Sequence, residues 1–197
     1  MRIVVGLKAH SGWAALVALG RLDGGLHVVE RRRIELVDAE TTAWAKQPYH
    51  AADGLDAGAA GALVDRAIDA ARRVAQREMR AALARAHQAG HEVVACAVLG
   101  PAPMPGWSLA EILAVHIRMH KAEGVLFPDA LVHAAQACGL PIEVIPEKEL
   151  PARAAASTHQ EIAMLGKRIG PPWGKDQKLA ALAAMLALDT SPVPARA

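Results

Sequence analysis

Two histidines and a glutamate recur at helical spacing in the middle of the chain. His116, His120 and Glu123 occupy positions i, i+4 and i+7, which places the three side chains on one face of a helix. Two imidazoles and a carboxylate that converge in this way suit zinc and similar divalent cations. The spacing therefore predicts a site for one divalent metal ion, which would polarise a substrate oxygen or activate a water.

The same three residues also have a structural interpretation. Leu109, Ile112 and Leu113 lie on the same helical face, so the polar groups are expected to continue an apolar stripe and to be buried. Buried histidines can bond to the backbone, and a buried glutamate can pair with a lysine or arginine. The sequence has no HExxH motif to favour the metal. A metal site and a hydrogen-bonded structural cluster both remain open.

A second polar group is expected where the first strand meets the last helix. The residues are Lys8, His10, Ser11, Trp173, Lys175 and Asp176. We predict that they line one cleft, together with a histidine of the metal trio, and that Lys8 and Asp176 are its reactive groups. The alternative for Asp176 is structural, because a carboxylate in the first turn of a helix complements the helix dipole.

The first part of the chain has the pattern of antiparallel strands. Runs rich in β-branched residues alternate with short turns, which predicts strands at residues 2–7, 13–19 and 26–37. Three consecutive arginines in the third run are flanked by glutamates, a pattern typical of a protected sheet edge. Residues 38–60 are mixed and rich in glycine and alanine, so we expect a surface connection there.

The rest of the chain alternates helices with buried strands. Helices are predicted at 61–88 and 175–188, and strands at 92–99 and 142–145. Ser108 and Glu111 have the spacing of a capping box, so a helix should begin there and run to about Glu123. Gly124 and Pro128 are expected to break or kink it, before a second helical piece ends at Gly139.

This order of elements predicts an α/β fold. Three antiparallel strands followed by two parallel strands would form a mixed sheet with helices on both faces. We expect a single domain over residues 1–189 and a flexible tail over 190–197.

Composition limits where the protein acts and what it binds. The net charge of the 197-residue chain is +2, so nucleic acid would need a local basic patch. The apolar stretch between Arg2 and Lys8 is too short for a signal sequence, and no apolar run approaches the roughly 18 residues of a membrane span. Cys96 and Cys138 lie in apolar runs and are expected to be reduced. We therefore expect a cytoplasmic protein that does not bind membranes.

The element order and three segments resemble the RNase H-like superfamily, specifically the RuvC-type crossover-junction resolvases. The segments are MRIVVGLKAHSG, residues 122–146 and KDQKLAALAAMLAL. The resemblance implies carboxylates from three places that hold two divalent metals. Here Lys8 stands at the first-strand Asp position, VLGPAPMPGW after the fourth strand lacks an acid, and only Asp176 remains in the last helix. We expect Lys8 to pair with Asp176 in an inert centre.

Three functions remain open at this point. The leading expectation is a non-catalytic relative of RuvC-type nucleases that acts as a binding or structural module on nucleic acid. The second is an enzyme that binds one divalent metal through the helical trio, with Asp176 or His10 completing the shell and Lys8 stabilising negative charge. The third is a homo-oligomeric scaffold without a site.

Overall fold

A five-stranded mixed sheet forms the centre of the protein in a computed structural model that describes residues 1–38 and 42–190. The strands are β1 Arg2–His10, β2 Trp13–Leu22, β3 Gly25–Glu35, β4 Glu92–Gly100 and β5 Ile142–Pro146, in the order β3-β2-β1-β4-β5. The first three pair antiparallel, whereas β4 pairs parallel with β1 and β5 with β4. This is the predicted sheet.

Helices cover both faces of the sheet, as predicted. They are α1 Thr42–Ala45, α2 Pro48–Ala52, α3 Ala57–Gln88, α4 Leu109–Leu113, α5 His116–Ala137, α6 Leu150–Arg153, α7 Ala156–Ile169 and α8 Lys175–Thr190. Successive residues of β1 point to opposite faces. Ile3, Val5 and Leu7 pack with residues of α2–α5, and Val4 packs with residues of α6–α8.

The close packing of α8 against β1 depends on small residues. A Cβ added to Gly6 would lie 1.9 Å from the carbonyl oxygen of Ala180, so only glycine allows this approach. Most of the inner face of α8 is alanine, which brings its backbone near the sheet. This packing keeps the start of α8 beside the end of β1.

The helix predicted from Ser108 to Glu123 is two helices. The capping box forms, since Ser108 accepts from the Glu111 backbone and Glu111 accepts from that of Ser108. The helix then ends at Leu113, because Val115 is extended (φ −141°, ψ 112°). Arg118 donates to the carbonyl of Glu111 at 3.0 Å, which satisfies one of the free acceptors at the end of α4.

The break predicted at Gly124 and Pro128 is wrong. α5 continues through both residues to Ala137. Pro128 is buried, and it packs near Gly100 at the end of β4, where a Cβ on that glycine would lie 3.7 Å from the proline Cβ. Packing against the sheet therefore offsets the hydrogen bond that a proline removes from a helix.

The segment 38–60 was expected to be a surface connection, and that prediction is also wrong for its described part. Residues 42–52 form α1 and α2, and α3 begins at Ala57 after the Asp56 N-cap. Tyr49 and Ala52 are buried in the core. Residues 39–41, and the predicted tail beyond Thr190, lie outside the described part of the chain.

The exposed edge of the sheet at β3 carries the three arginines. Arg32 and Arg33 pair along the strand with Glu30 and Glu35, at 2.8 and 2.6 Å. Arg31 reaches the other way and donates to four consecutive backbone carbonyls of residues 169–172, at 2.6–3.1 Å. The arginine run therefore protects an edge, as predicted, and also holds the loop between α7 and α8.

Two further observations concern the predicted environment. Cys96 and Cys138 are free thiols, and burial raises the pKa of Cys96 to about 12. None of the helices in the described ranges is both long and apolar enough to cross a membrane.

Candidate metal centre

Three imidazole rings meet where α2 packs on the first turns of α5. His50 comes from α2, and His116 and His120 come from α5. Their ring centroids are 4.5 to 5.0 Å apart. One nitrogen from each ring lies within 4.8 Å of the other two, and the Nε2 atoms of His116 and His120 are 3.0 Å apart.

Glu123 fixes the position of His50. Its Oε1 lies 2.7 Å from His50 Nδ1 and 3.2 Å from the backbone nitrogen of the same residue. The glutamate side chain is only 6% exposed, and it is the buried charged group of the described core. A carboxylate accepts hydrogen bonds, so it favours the His50 tautomer in which Nδ1–H donates to it. His50 Nε2 then carries the lone pair.

That Nε2 atom is buried and has no hydrogen-bond partner among the described residues. A buried polar atom left unpaired costs about 1–3 kcal/mol, so its persistence needs an explanation. In metal sites, a carboxylate commonly holds one imidazole nitrogen while the opposite nitrogen binds the metal. In His50, Glu123 contacts Nδ1 and the opposite Nε2 is unpaired, and one nitrogen of the ring lies within 4.8 Å of a nitrogen of both His116 and His120.

The spacing of the nitrogens is close to that of a tetrahedral zinc site. Zinc binds imidazole nitrogen at about 2.0–2.1 Å, which separates two ligand nitrogens by about 3.3 Å in a tetrahedron. The Nε2 atoms of His116 and His120 are 3.0 Å apart, and a nitrogen of each of the three rings lies within 4.8 Å of the other two. These distances lie on either side of about 3.3 Å, so side-chain rotations would suffice to bring the three nitrogens to the spacing of zinc ligands. Three protein ligands leave one coordination position open.

The predicted trio is corrected in two respects. Glu123 contacts His50 and is not part of the group of side chains close enough together to hold a metal ion, which consists of His50, His116 and His120. His116 and His120 are exposed, and the expected burial of the whole trio is wrong. The reason is that the helix is interrupted at Val115, which separates the apolar face of α4 from the face of α5 that bears the histidines.

The sequence did contain a signal for His50. The chain has only six aromatic residues (Trp 4, Tyr 1, Phe 1), and Trp44 and Tyr49 fall in the segment interpreted as a surface connection. Pro48 begins α2, a position that proline favours. Burial and the Glu123 charge both raise the pKa of Tyr49, next to His50. In a chain with so few aromatic residues, these two are expected to pack in the core. The burial of Tyr49 places its neighbour His50 beside α5.

A cleft of about 990 Å³ adjoins the cluster. It lies beyond the carboxyl ends of β1, β4 and β5, where ligands of α/β sheets commonly bind. Residues 101–105 and the 120–128 segment of α5 complete its walls. His120 and Glu123 line it, so the histidine cluster and the cleft share a wall.

Lys8 pairs with Glu147 across this cleft. Its Nζ lies 2.6 Å from Glu147 Oε2, and the lysine side chain is 15% exposed. The prediction that Lys8 pairs with Asp176 is wrong. Glu147 directly follows β5, and β4 alone separates β5 from β1, so the sheet brings the two residues together.

Asp176 pairs instead with His10. Asp176 Oδ1 lies 3.0 Å from His10 Nε2. The His10 ring stacks on Trp13 with centroids 4.4 Å apart, and the Arg33 guanidinium lies 4.1 Å from the centre of the Trp13 ring. His10, like Lys8 and Ser11, lines the cleft as predicted.

Trp173, Lys175 and Asp176 are not among the residues that line this cleft, contrary to the prediction. The Trp173 ring packs on Gly166 of α7, where a Cβ would lie 2.1 Å from its Cδ1, and its Nε1–H donates to the Ile162 carbonyl at 3.3 Å. Lys175 is exposed at the first residue of α8. The aromatic side chain therefore anchors α7 to the loop before α8.

Of the comparisons with known proteins, only the one with solved structures found similarity. No protein-family profile matches the chain, and a search of curated proteins finds no significant relative by sequence. The RuvC of T. thermophilus in complex with a Holliday junction substrate is similar in structure, with a TM-score of 0.53 at 13% identity over 94% of this chain and 92% of that one.

Two other solved structures show weaker similarity. Another structure of Thermus thermophilus RuvC has a TM-score of 0.49, at 13% identity over 93% of this chain and 92% of that one. An Aquifex aeolicus member of the Ppx/GppA family has a TM-score of 0.37, at 14% identity over 83% of this chain and 39% of that one. The complex with the higher score bears out the RNase H-like, RuvC-like fold.

Proposed function

We propose that the protein is an enzyme that uses a single divalent metal, bound by His50, His116 and His120 on an RNase H-like scaffold. The observation that carries the proposal is the buried Nε2 of His50, which has no partner in the described structure while Glu123 holds the opposite nitrogen of the ring. A purely structural histidine would be expected to use both nitrogens.

Zinc is the metal that best suits three neutral imidazoles. Bound there, it would act as a Lewis acid or lower the pKa of a water molecule in the open coordination position. Glu123 orients the His50 ring by holding its Nδ1. His10, held by Asp176 on the wall of the shared cleft, is the group we assign to accept or return a proton there.

This proposal departs from the chemistry implied by the resemblance to RuvC-type resolvases. Cleavage with two metals needs several converging carboxylates, whereas the position of the first-strand acid holds Lys8, which forms an ion pair with Glu147. An ammonium group in that position opposes the binding of a cation. The ion pair therefore supports the loss of nuclease activity.

Nucleic-acid binding without cleavage is the second candidate. The similar T. thermophilus RuvC was solved in complex with a Holliday junction substrate, and this is the observation that favours it. Binding of this kind should weaken steeply as salt is raised. The expected cytoplasmic location and homo-oligomerisation stay predictions.

The test is the metal content of untagged protein, measured by elemental mass spectrometry. We expect about one zinc per chain in the wild type, and loss of that zinc in His50→Ala and in the His116→Ala/His120→Ala double variant. His133→Ala, an exposed histidine on the same helix, is the matched control and should keep its zinc. Wild-type protein that takes up no zinc, even after incubation with the ion, would refute the proposal.

A further inference from the structure

A glycine without a packing role lies in the wall shared by the histidine cluster and the cleft. Gly124 is inside α5, directly after Glu123, and lines the cleft. A Cβ added there would meet no atom of the described residues within 4 Å. Glycine in a helix interior is less favourable than alanine, and nothing in the surrounding structure requires it here. What its missing side chain does provide is room in the cleft.

The same turn of α5 also exposes a backbone acceptor. Pro128 stands four residues after Gly124, and proline has no N–H, so the Gly124 carbonyl lacks its usual helical donor. Gly124 is exposed, whereas Pro128 is buried. A molecule in the cleft can therefore approach bare backbone and donate a hydrogen bond, one residue away from the glutamate that orients His50.

The remaining walls are mainly apolar. Side chains of Leu99, Met104, Val125 and Phe127 line the cleft, together with several prolines. Its charged residues balance in number, since Lys8, Lys121 and Lys148 are matched by Glu123, Glu147 and Glu149. Nucleic-acid backbones are held by grooves with a clear excess of positive charge, which these residues do not provide.

We infer that the substrate is a small molecule with an apolar body, a hydrogen-bond donor and an oxygen-bearing head that reaches the metal. The body lies against the apolar walls, the donor faces the Gly124 carbonyl, and the head enters beside His120. A volume of about 990 Å³ suits a ligand of this size. The inference rests on the proposed metal centre and adds the class of substrate that the centre serves.

The test compares two small zinc ligands on the zinc-loaded protein by isothermal titration calorimetry. Benzohydroxamate and acetohydroxamate carry the same metal-binding group and N–H donor, but one has a phenyl ring and the other a methyl group. Burial of the extra apolar surface should make benzohydroxamate bind about tenfold more tightly or better. Gly124→Trp places an indole ring in the part of the cleft beside Glu123 and should remove this preference. Gln136→Trp, at an exposed position of the same helix outside the cleft, should retain it.

Zinc content is measured for every sample, which separates the two claims. Zinc-loaded wild type that binds both hydroxamates equally would overturn the substrate assignment and leave the metal centre in place. The same conclusion would follow if zinc-loaded Gly124→Trp kept the full preference. If the wild type took up no zinc, the proposed function would fail and this inference with it. A tenfold preference, lost only in Gly124→Trp, supports both.

Discussion

Replacing Glu123 by glutamine tests how the histidine cluster is held together. The change keeps the size of the side chain and removes its charge. In the native protein, Glu123 Oε1 lies within hydrogen-bond distance of the His50 ring and backbone nitrogens, with the carboxylate 6% exposed. In a site that binds metal, the loss of such an orienting carboxylate weakens metal affinity by about 10–100-fold. We expect a zinc dissociation constant raised by that factor.

The same variant should also lose stability without metal. Hydrogen bonds to a charged partner contribute about 1.5–3 kcal/mol, and the neutral amide would keep only part of this. We therefore expect the free energy of unfolding of the apo-protein to fall by about 1–2 kcal/mol, measured by urea titration. A structural role alone predicts this loss and no more.

Zinc affinity is therefore the deciding measurement, made by competition with a chromophoric chelator. The matched control is Glu147→Gln, which removes a cleft carboxylate that pairs with Lys8 and should leave the zinc affinity unchanged. If Glu123→Gln loses stability but binds zinc within about twofold of the wild type, Glu123 does not support a metal ligand.

Three further predictions concern packing and reactivity. Gly6→Ala should reduce the free energy of unfolding by about 3 kcal/mol or prevent folding, because the added Cβ would lie 1.9 Å from the Ala180 carbonyl oxygen. In Gly25→Ala the nearest atom to the added Cβ is 3.8 Å away, so this control should be nearly neutral in chemical denaturation. Equal effects of the two substitutions would show that the close packing of α8 on β1 does not depend on Gly6. Trp173→Ala should lower the free energy of unfolding by about 3–5 kcal/mol, measured in the same way, and should leave zinc binding intact. A folded variant that no longer binds zinc would indicate that Trp173 belongs to the metal centre. Burial raises the pKa of Cys96 to about 12, so its thiol stays protonated at about pH 8. Iodoacetamide should therefore modify the less buried Cys138 first and Cys96 only after denaturation, as measured by mass spectrometry. Rapid labelling of Cys96 in the folded protein would contradict its burial.

Much of the fold could be predicted because it depends on local patterns. The strands have alternating or continuous runs of apolar residues between turn residues, and they appear where those patterns place them. The capping box at Ser108 marked a true helix start. The errors came where tertiary packing outweighed a local signal, as at Pro128, which a buried position against the sheet keeps inside α5.

The site was predicted only as far as one helix can show it. His116 and His120 are one turn apart, so their proximity follows from helical geometry. His50 joins them from a separate helix, and no local spacing reveals that contact. Lys8 and Glu147 are likewise brought together by two strands that are not adjacent in the sheet. Side-chain partners that depend on the assembly of distant elements could not be obtained from periodicity.

The most direct test of the metal centre is a crystal structure of the zinc-soaked protein, with diffraction data collected on both sides of the zinc absorption edge. We expect one anomalous peak about 2.1 Å from a ring nitrogen of each of His50, His116 and His120, with Glu123 still bound to the other nitrogen of His50. A peak only at another site, or no peak despite an ordered histidine cluster, would contradict the proposed metal centre.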